Sequence, residues 1–285
     1  MNVQAAINAG LFLQFVYDNW NTSSPNTDLD GRAVVTEAGA PIIPGKTYNV
    51  LKTIYSNDLA TDIGPKSAPA DFTTIGIVAQ STTDPADVVI AVRGTENIWE
   101  WLQDFKFLLR PFPSVAGSGY AEDGFTCMYL SFSLTPGPSA TFMKDLQSLL
   151  PSNAMVTVAG HSLGSALATL LALDMAANTT FPVVLYTLAS PRVGDLSFHN
   201  LFNHVVPNAY RVANRLDVVT KTPAPPLYWH VGDETDLVPG SAVKFDLQCE
   251  HHLTTYFNLL ATLIGQQALY PIDAACLKPV AAAPA

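Results

Sequence analysis

The chain has 285 residues, 48% of them hydrophobic and only 13% charged, with a formal net charge of −10. This composition supports one large buried core and argues against disorder over most of the chain. The acidic balance argues against a nucleic-acid partner and against electrostatic docking on anionic lipid, and no apolar run reaches the 18 residues that would suggest a membrane span.

Residues 1–20 carry no basic segment followed by a small-residue cleavage pattern, so no signal peptide is visible there. Ile7, Leu11 and Phe15 instead form the stripe of an amphipathic helix. A polar, turn-rich stretch follows over residues 21–45. It contains one glycosylation sequon, Asn21-Thr22-Ser23, and a second sits at Asn178-Thr179-Thr180; matches this short carry little weight. Gly45-Lys46-Thr47 looks like the end of a phosphate loop, but the required earlier glycine is Ala40, and Pro41 and Pro44 intervene, so that motif is rejected. Strand-like runs occupy residues 47–55, 72–79 and 87–92, with connectors suited to an antiparallel start of a sheet.

Residues 97–110 read as a helix, with Ile98, Trp101, Leu102, Phe105, Leu108 and Leu109 on one stripe. Trp99 and Phe107 fall outside that stripe, which an ordinary surface helix would not favour. Pro111 and Pro113 end the run; residues 115–124 read as a loop and residues 139–150 as a helix. From residue 154 onward strand and helix alternate, with strands at 154–159, 182–189 and 208–213 and helices at 163–175 and up to about residue 204. That alternation implies a parallel sheet with helices on its faces, and sites in such sheets gather at the carboxyl ends of the strands. Residues 228–232 read as a further strand, residues 253–267 as a final amphipathic helix, and residues 278–285 as a flexible tail on a single domain covering 1–277.

Gly160-His161-Ser162-Leu163-Gly164 lies where an apolar run gives way to an Ala-rich one. This is the layout of a nucleophile elbow, in which a strand turns sharply into a helix with a serine at the bend. A serine hydroxyl needs a histidine to take its proton and a carboxylate to fix that histidine's tautomer. On such folds the acid follows the serine and the histidine follows the acid. His161 is beside the serine and points away from it; His199 and His204 precede any suitable acid and match no metal spacing; His230 reads as a structural strand histidine. His251 and His252 remain. The acid candidates are Asp195, Asp217, Asp233 and Glu234, of which Asp217 has the best placement, just past a strand's carboxyl end. Of Cys127, Cys249 and Cys276, the last two could staple the C-terminal segment, or all three could be buried thiols.

In four segments the chain resembles the class 3 lipase family, the fungal-type triacylglycerol lipases with their bacterial, plant and feruloyl esterase relatives. Residues 88–104 resemble the family's strand, Arg-Gly-Ser/Thr turn and Trp-containing lid; residues 158–168 resemble Ala-Gly-His-Ser-Leu-Gly-x-Ala-Leu-Ala. Residues 187–195 resemble Gly-Ser-Pro-Arg-Val-Gly-Asn, with Ala189 and Asp195 as departures, and residues 211–223 resemble Arg-Val-x-Asn-x-x-Asp-x-Val before a proline-rich loop. Asp123-Gly124-Phe125 matches His-x-Gly-Phe without its histidine. The resemblance implies an α/β-hydrolase fold: a central mixed, mostly parallel sheet with helices on both faces and a short helical lid. It implies Ser162 as nucleophile, Asp217 as acid, and His251 as base from the spacing His-x-Leu-x-x-Tyr through Leu253 and Tyr256, although fungal members would favour His252. Thr95 and Leu163 would supply oxyanion N–H groups, and Trp99, Trp101 and Phe105, with Phe107, would line a lid or acyl site; the alternative for that segment is an ordinary buried helix.

The function expected is that of a serine carboxylester hydrolase, a triacylglycerol lipase first, working through an acyl-enzyme with no cofactor and no metal. A feruloyl or other non-lipid esterase is the nearest rival, and a non-catalytic lipid-binding relative the rival from another class. A monomer acting on an ester or lipid, with secretion implied by the resemblance alone, completes the expectation.

Overall fold

The computed structural model describes residues 1–20, 24–57, 72–95, 107–240 and 242–278. A seven-stranded sheet runs in the order β1-β2-β3-β6-β7-β8-β9. Its first three strands, β1 (Tyr48–Asn57), β2 (Phe72–Ser81) and β3 (Asp87–Val92), pair antiparallel. From β3 the sheet is parallel through β6 (Met155–His161), β7 (Val183–Leu188), β8 (Ala209–Asn214) and β9 (Asp233–Leu237). The carboxyl ends of these five strands therefore share one edge, which carries Val92, His161, Leu188, Asn214 and Leu237.

The period of two along β3 divides the core. Val88, Ile90 and Val92 pack with α4 (Leu163–Asn178), α2 (Asp123–Leu130) and α5 (Leu196–Val205) on one face. Val89 and Ala91 pack with α1 (Val3–Asn19) and α7 (Leu253–Thr262) on the other. Strands buried on both faces read as continuous apolar runs, which is why residues 88–92 and 156–160 show little alternation. The same argument explains α4: residues 163–175 are all buried, so the helix is apolar all round. Its one acidic side chain, Asp174, accepts the Tyr129 hydroxyl at 2.6 Å and the Asn178 amide at 2.8 Å.

Several expectations are corrected. Residues 109–110 are not helical: Leu109–Pro111 forms β4, paired with β5 (Tyr120–Glu122). Pro111 cannot extend a helix, and Gly117 and Gly119, both at positive φ, turn the chain back to make the pair. The supposed loop at 115–124 thus contains a strand and the start of α2. Glu122 opens that helix by accepting the Phe125 N–H at 2.8 Å, so a side-chain cap, invisible to periodicity, sets the boundary. The helix expected over 139–150 spans Phe142–Leu149 as α3, and the last helix stops at Thr262 rather than 267. Residues 228–232 make only an isolated bridge, Trp229 to Gly194, and the edge strand lies at β9. A short helix, α6 (Leu247–His251), begins at Asp246, whose carboxylate accepts the Gln248 and Cys249 N–H groups. The tail at 279–285 and the sequon at Asn21 lie outside the described residues, as does the body of the segment at 96–106.

Two outcomes follow. A methyl group at Gly164 would lie 2.2 Å from the Val92 carbonyl oxygen, so α4 can approach β3 only without a Cβ. Gly164→Ala should lower stability by about 1–3 kcal/mol, read as a fall in melting temperature. Burial pushes the Glu122 carboxyl up to about 7. A raised folded pKa means the folded state holds the proton more tightly, so this contribution is complete below about pH 4.5 and disappears as pH rises through about 7. Glu122→Gln keeps the cap acceptor and removes the charge. It should therefore stabilise the protein by about 1–3 kcal/mol at pH 8 and bring no gain at pH 4.5, as measured by denaturant melts at the two pH values.

Candidate active site

The elbow is built by the junction of β6 and α4. Ser162 sits between them at φ 59° and ψ −130°, a region that costs a non-glycine residue of order 1–3 kcal/mol. Surrounding bonds hold it there. Its N–H donates to the Leu188 carbonyl at 3.0 Å, and its own carbonyl accepts the Ser165 N–H at 2.9 Å. Ser165 adds its hydroxyl to the Leu188 carbonyl at 2.8 Å. The turn leaves Ser162 fully buried, with an Oγ that has no hydrogen-bond partner among the described residues.

Asp217 follows β8 at the same sheet edge and is also fully buried. Its Oδ2 accepts His251 Nδ1–H at 2.8 Å and the Tyr256 hydroxyl at 2.7 Å; its Oδ1 accepts the Val219 N–H at 2.9 Å. Burial and the neighbouring Asp217 push the Tyr256 phenol well above its usual range, so it stays a donor. With Nδ1 donating to Asp217, the other ring nitrogen of His251, Nε2, is buried and has no hydrogen-bond partner among the described residues. His252, the alternative base, faces solvent and caps α7, its ring Nδ1 2.8 Å from the Thr254 hydroxyl.

Asn214 ties the Asp217 turn to the segment that carries His251. Its amide donates to both the carbonyl and the carboxylate of buried Glu250 at 2.8 Å, and its N–H donates to Tyr256 Oη at 3.1 Å. Asp217 N–H closes the turn on the Asn214 carbonyl at 3.1 Å. The Cys249–Cys276 disulfide anchors α6, the helix that ends on His251, and the Thr255 hydroxyl donates to the Cys249 carbonyl at 2.7 Å. Cys127 is the free cysteine.

His161 is buried and engages other partners. Its Nδ1 lies 2.9 Å from the Tyr17 hydroxyl and its Nε2 3.1 Å from the His251 carbonyl, with the two imidazole rings 5.0 Å apart. Burial, reinforced by the His251 ring, holds its pKa well below the usual histidine value, so it is neutral. A carbonyl can only accept, so the proton sits on Nε2 and Tyr17 donates to Nδ1. Tyr17 in turn accepts the Gly94 N–H at 2.7 Å. Thr95 is half-buried beyond Gly94, and Leu163 opens α4, where a helix has N–H groups with no intrahelical partner. Trp99, Trp101 and Phe105 lie outside the described residues.

The remaining candidates have other partners. Asp195 caps α5 by accepting the Phe198 N–H at 2.8 Å, Glu234 pairs with Arg211, and Asp233 is exposed. His230 donates to the Thr220 carbonyl at 2.7 Å, with burial pulling its pKa down to about 3. His199 bonds the His230 carbonyl. Among the described residues no group of three His, Cys, Asp or Glu is arranged to hold a metal ion. Tyr17 and Glu250 were absent from the sequence reading. Neither carries a motif, and both lie far along the chain from most of what they touch.

This sheet, with an elbow at the end of its central strand, the fourth from either edge, is an α/β-hydrolase fold. A sequence-family model described as Lipase (class 3) matches residues 89–226. That match, together with the relatives and structures below, supports a member of the class 3 lipase family. Among curated proteins it is 30% identical over 262 residues to phospholipase A1 EG1 of Oryza sativa subsp. indica, covering 76% of this chain and 59% of that protein. It is 32% identical to phospholipase A1-II 3 of the same organism, covering 60% and 51%. The chain thus spans between half and three-fifths of the length of these relatives. Among solved structures, a mutant form of MDLA from Penicillium cyclopium superposes with a TM-score of 0.61 at 23% identity, covering 86% of this chain and 83% of the other. The triacylglyceride lipase of Rhizomucor miehei gives a TM-score of 0.58 at 23% identity, covering 82% and 79%. At such identities these two show a shared fold.

The disulfide closes a loop with a sequence separation of 27. Replacing both Cys249 and Cys276 by Ala should cost about 3 kcal/mol of stability in urea melts compared with the oxidised protein.

Proposed function

We propose that this protein hydrolyses lipid carboxylic esters by an acyl-enzyme route, with Ser162 as nucleophile, His251 as base and Asp217 as the acid that orients it. One observation carries this reading. Ser162 Oγ and His251 Nε2 are both buried and both lack a hydrogen-bond partner among the described residues. An unsatisfied buried polar group costs about 1–3 kcal/mol, so a fold that keeps two of them on its nucleophile and base keeps them for chemistry.

In the proposed reaction Ser162 Oγ attacks the ester carbonyl while its proton passes to His251 Nε2. The imidazolium so formed is stabilised by Asp217 through Nδ1–H. Negative charge develops on the former carbonyl oxygen, where the N–H groups of Thr95 and Leu163 act as donors. Collapse expels the alcohol, which takes the proton back from His251. Water, deprotonated by the same nitrogen, then releases the fatty acid.

Triacylglycerol is the substrate the sequence segments suggest. The names of the curated relatives, phospholipases A1, favour a second reading in which the acyl ester belongs to a phospholipid. The disulfide supports residence in an oxidising compartment.

Ser162→Ala should reduce hydrolysis of a short p-nitrophenyl ester by about 10⁴-fold or more in a protein that still melts cooperatively. His251→Ala should do the same, while His252→Ala should stay within several-fold of wild type. Activity retained in Ser162→Ala, or lost only in His252→Ala, would overturn the assignment. Release of fatty acid from tributyrin emulsions against phosphatidylcholine vesicles separates the two substrate readings.

A further inference from the structure

A buried arginine and the hydroxyl of the first helix grip the same residue beside the nucleophile. Arg93 is 3% exposed and sits over the Trp20 ring, 3.7 Å from its centroid. Its Nε donates to the Thr74 carbonyl at 2.8 Å and its Nη2 to the Thr73 hydroxyl at 3.2 Å, which fixes the fork to the start of β2. Its Nη1 donates to the Gly94 carbonyl at 2.7 Å. From the other side the Tyr17 hydroxyl accepts the Gly94 N–H at 2.7 Å and is itself held by neutral His161 at 2.9 Å. Gly94 lies directly over the elbow, since a Cβ placed on it would sit 2.8 Å from Ser162 Cβ and 2.9 Å from Tyr17 Oη.

We propose that Tyr17 and Arg93 are positioning residues for the oxyanion donor: together they clamp the backbone of Gly94 so that the Thr95 N–H is aimed and polarised before substrate arrives. The inference rests on the ester-hydrolase reading above. The geometry follows from the peptide unit. The Gly94 carbonyl and the Thr95 N–H belong to one planar group and point in opposite directions. Fixing the carbonyl on the guanidinium therefore fixes the direction of that N–H. A charged donor on the carbonyl also draws electron density toward the oxygen and makes the N–H at the other end a better donor, the cooperative strengthening expected in hydrogen-bonded chains at low dielectric. Tyr17 prevents rotation of the preceding peptide, which glycine would otherwise permit. His161 completes the arrangement. It passes the restraint from Tyr17 to the His251 carbonyl, so oxyanion loop, elbow and base loop share one line of hydrogen bonds.

A clamp on the oxyanion donor makes a prediction that a general loss of structure does not. A carbonyl oxygen that turns into an oxyanion depends on that donor, whereas the sulfur of a thionoester accepts hydrogen bonds poorly. Tyr17→Phe removes only the hydroxyl. For a p-nitrophenyl oxygen ester it should lower kcat about 10-fold with KM within about twofold, a part of the roughly 10²–10³ lost when a donor is removed outright. For the matching thionoester the loss should be much smaller, so the oxygen-to-sulfur ratio of kcat/KM should fall nearly 10-fold. Arg93→Lys, which keeps the charge but cannot reach Thr74 and Gly94 at once, should shift the ratio the same way. An active wild type whose ratio is unchanged in Tyr17→Phe, through equal losses on both esters or through none, overturns the clamp alone. A wild type inert toward both esters, or a Ser162→Ala variant that still hydrolyses them, overturns the ester-hydrolase reading and the clamp with it.

Discussion

The backbone at Ser162 is the constraint on which the site depends. A strand must end and a helix begin within one residue, and the residue between them must adopt a positive φ. That turn is held from three sides. The Leu188 carbonyl takes both the Ser162 N–H and the Ser165 hydroxyl, β3 presses its last carbonyls against Gly164, and Gly94 lies over Ser162 Cβ. Gly164 is required because the Val92 and Arg93 carbonyls occupy the space of its side chain, and Gly94 because Ser162 Cβ, the His161 carbonyl and Tyr17 Oη do. The strain is thus supported by β3, β7 and α4 together.

Around that turn, loops from four places in the chain are joined by few bonds. Asn214 links the end of β8 to Glu250 and Tyr256, and so sets the distance between Asp217 and His251. The disulfide at Cys249 fixes the other end of the short helix that presents His251. Tyr17 and His161 connect the N-terminal helix to the same carbonyl-rich centre. Buried polar networks of this kind specify one arrangement because each broken link leaves an unpaired group away from water. Within the network, Ser162 Oγ and His251 Nε2 are left without partners among the described residues.

Much of the fold was legible in the chain. The apolar runs at β3, β6, β7 and β8 and the all-round apolar α4 carry strong period signals, since both faces of the parallel sheet are covered. The weaker readings failed where the determining bond is local or distant rather than periodic. Leu109–Pro111 and Tyr120–Glu122 are three residues each, too short to show alternation, and they exist because they pair with each other. Strand β9 reads Asp-Glu-Thr-Asp-Leu, an edge strand whose exposed side chains hide it from any hydrophobic scan. Helices α2 and α6 begin on carboxylates, Glu122 and Asp246, that no apolar stripe announces.

At the site, sequence alone determined the elbow, because a strand, Gly-x-Ser-x-Gly and a small-residue helix must be consecutive to make it. It also narrowed the acid to an aspartate just past a strand end and the base to two neighbouring histidines. Only the tertiary structure decided which of that pair meets Asp217. His251 ends one short helix and turns inward, while His252 caps the next and turns out, the arrangement that the spacing to Leu253 and Tyr256 had favoured. The hydrogen bonds by which Tyr17 and Glu250 join this region could be seen only in three dimensions. They link segments that the chain itself keeps as much as 144 residues apart.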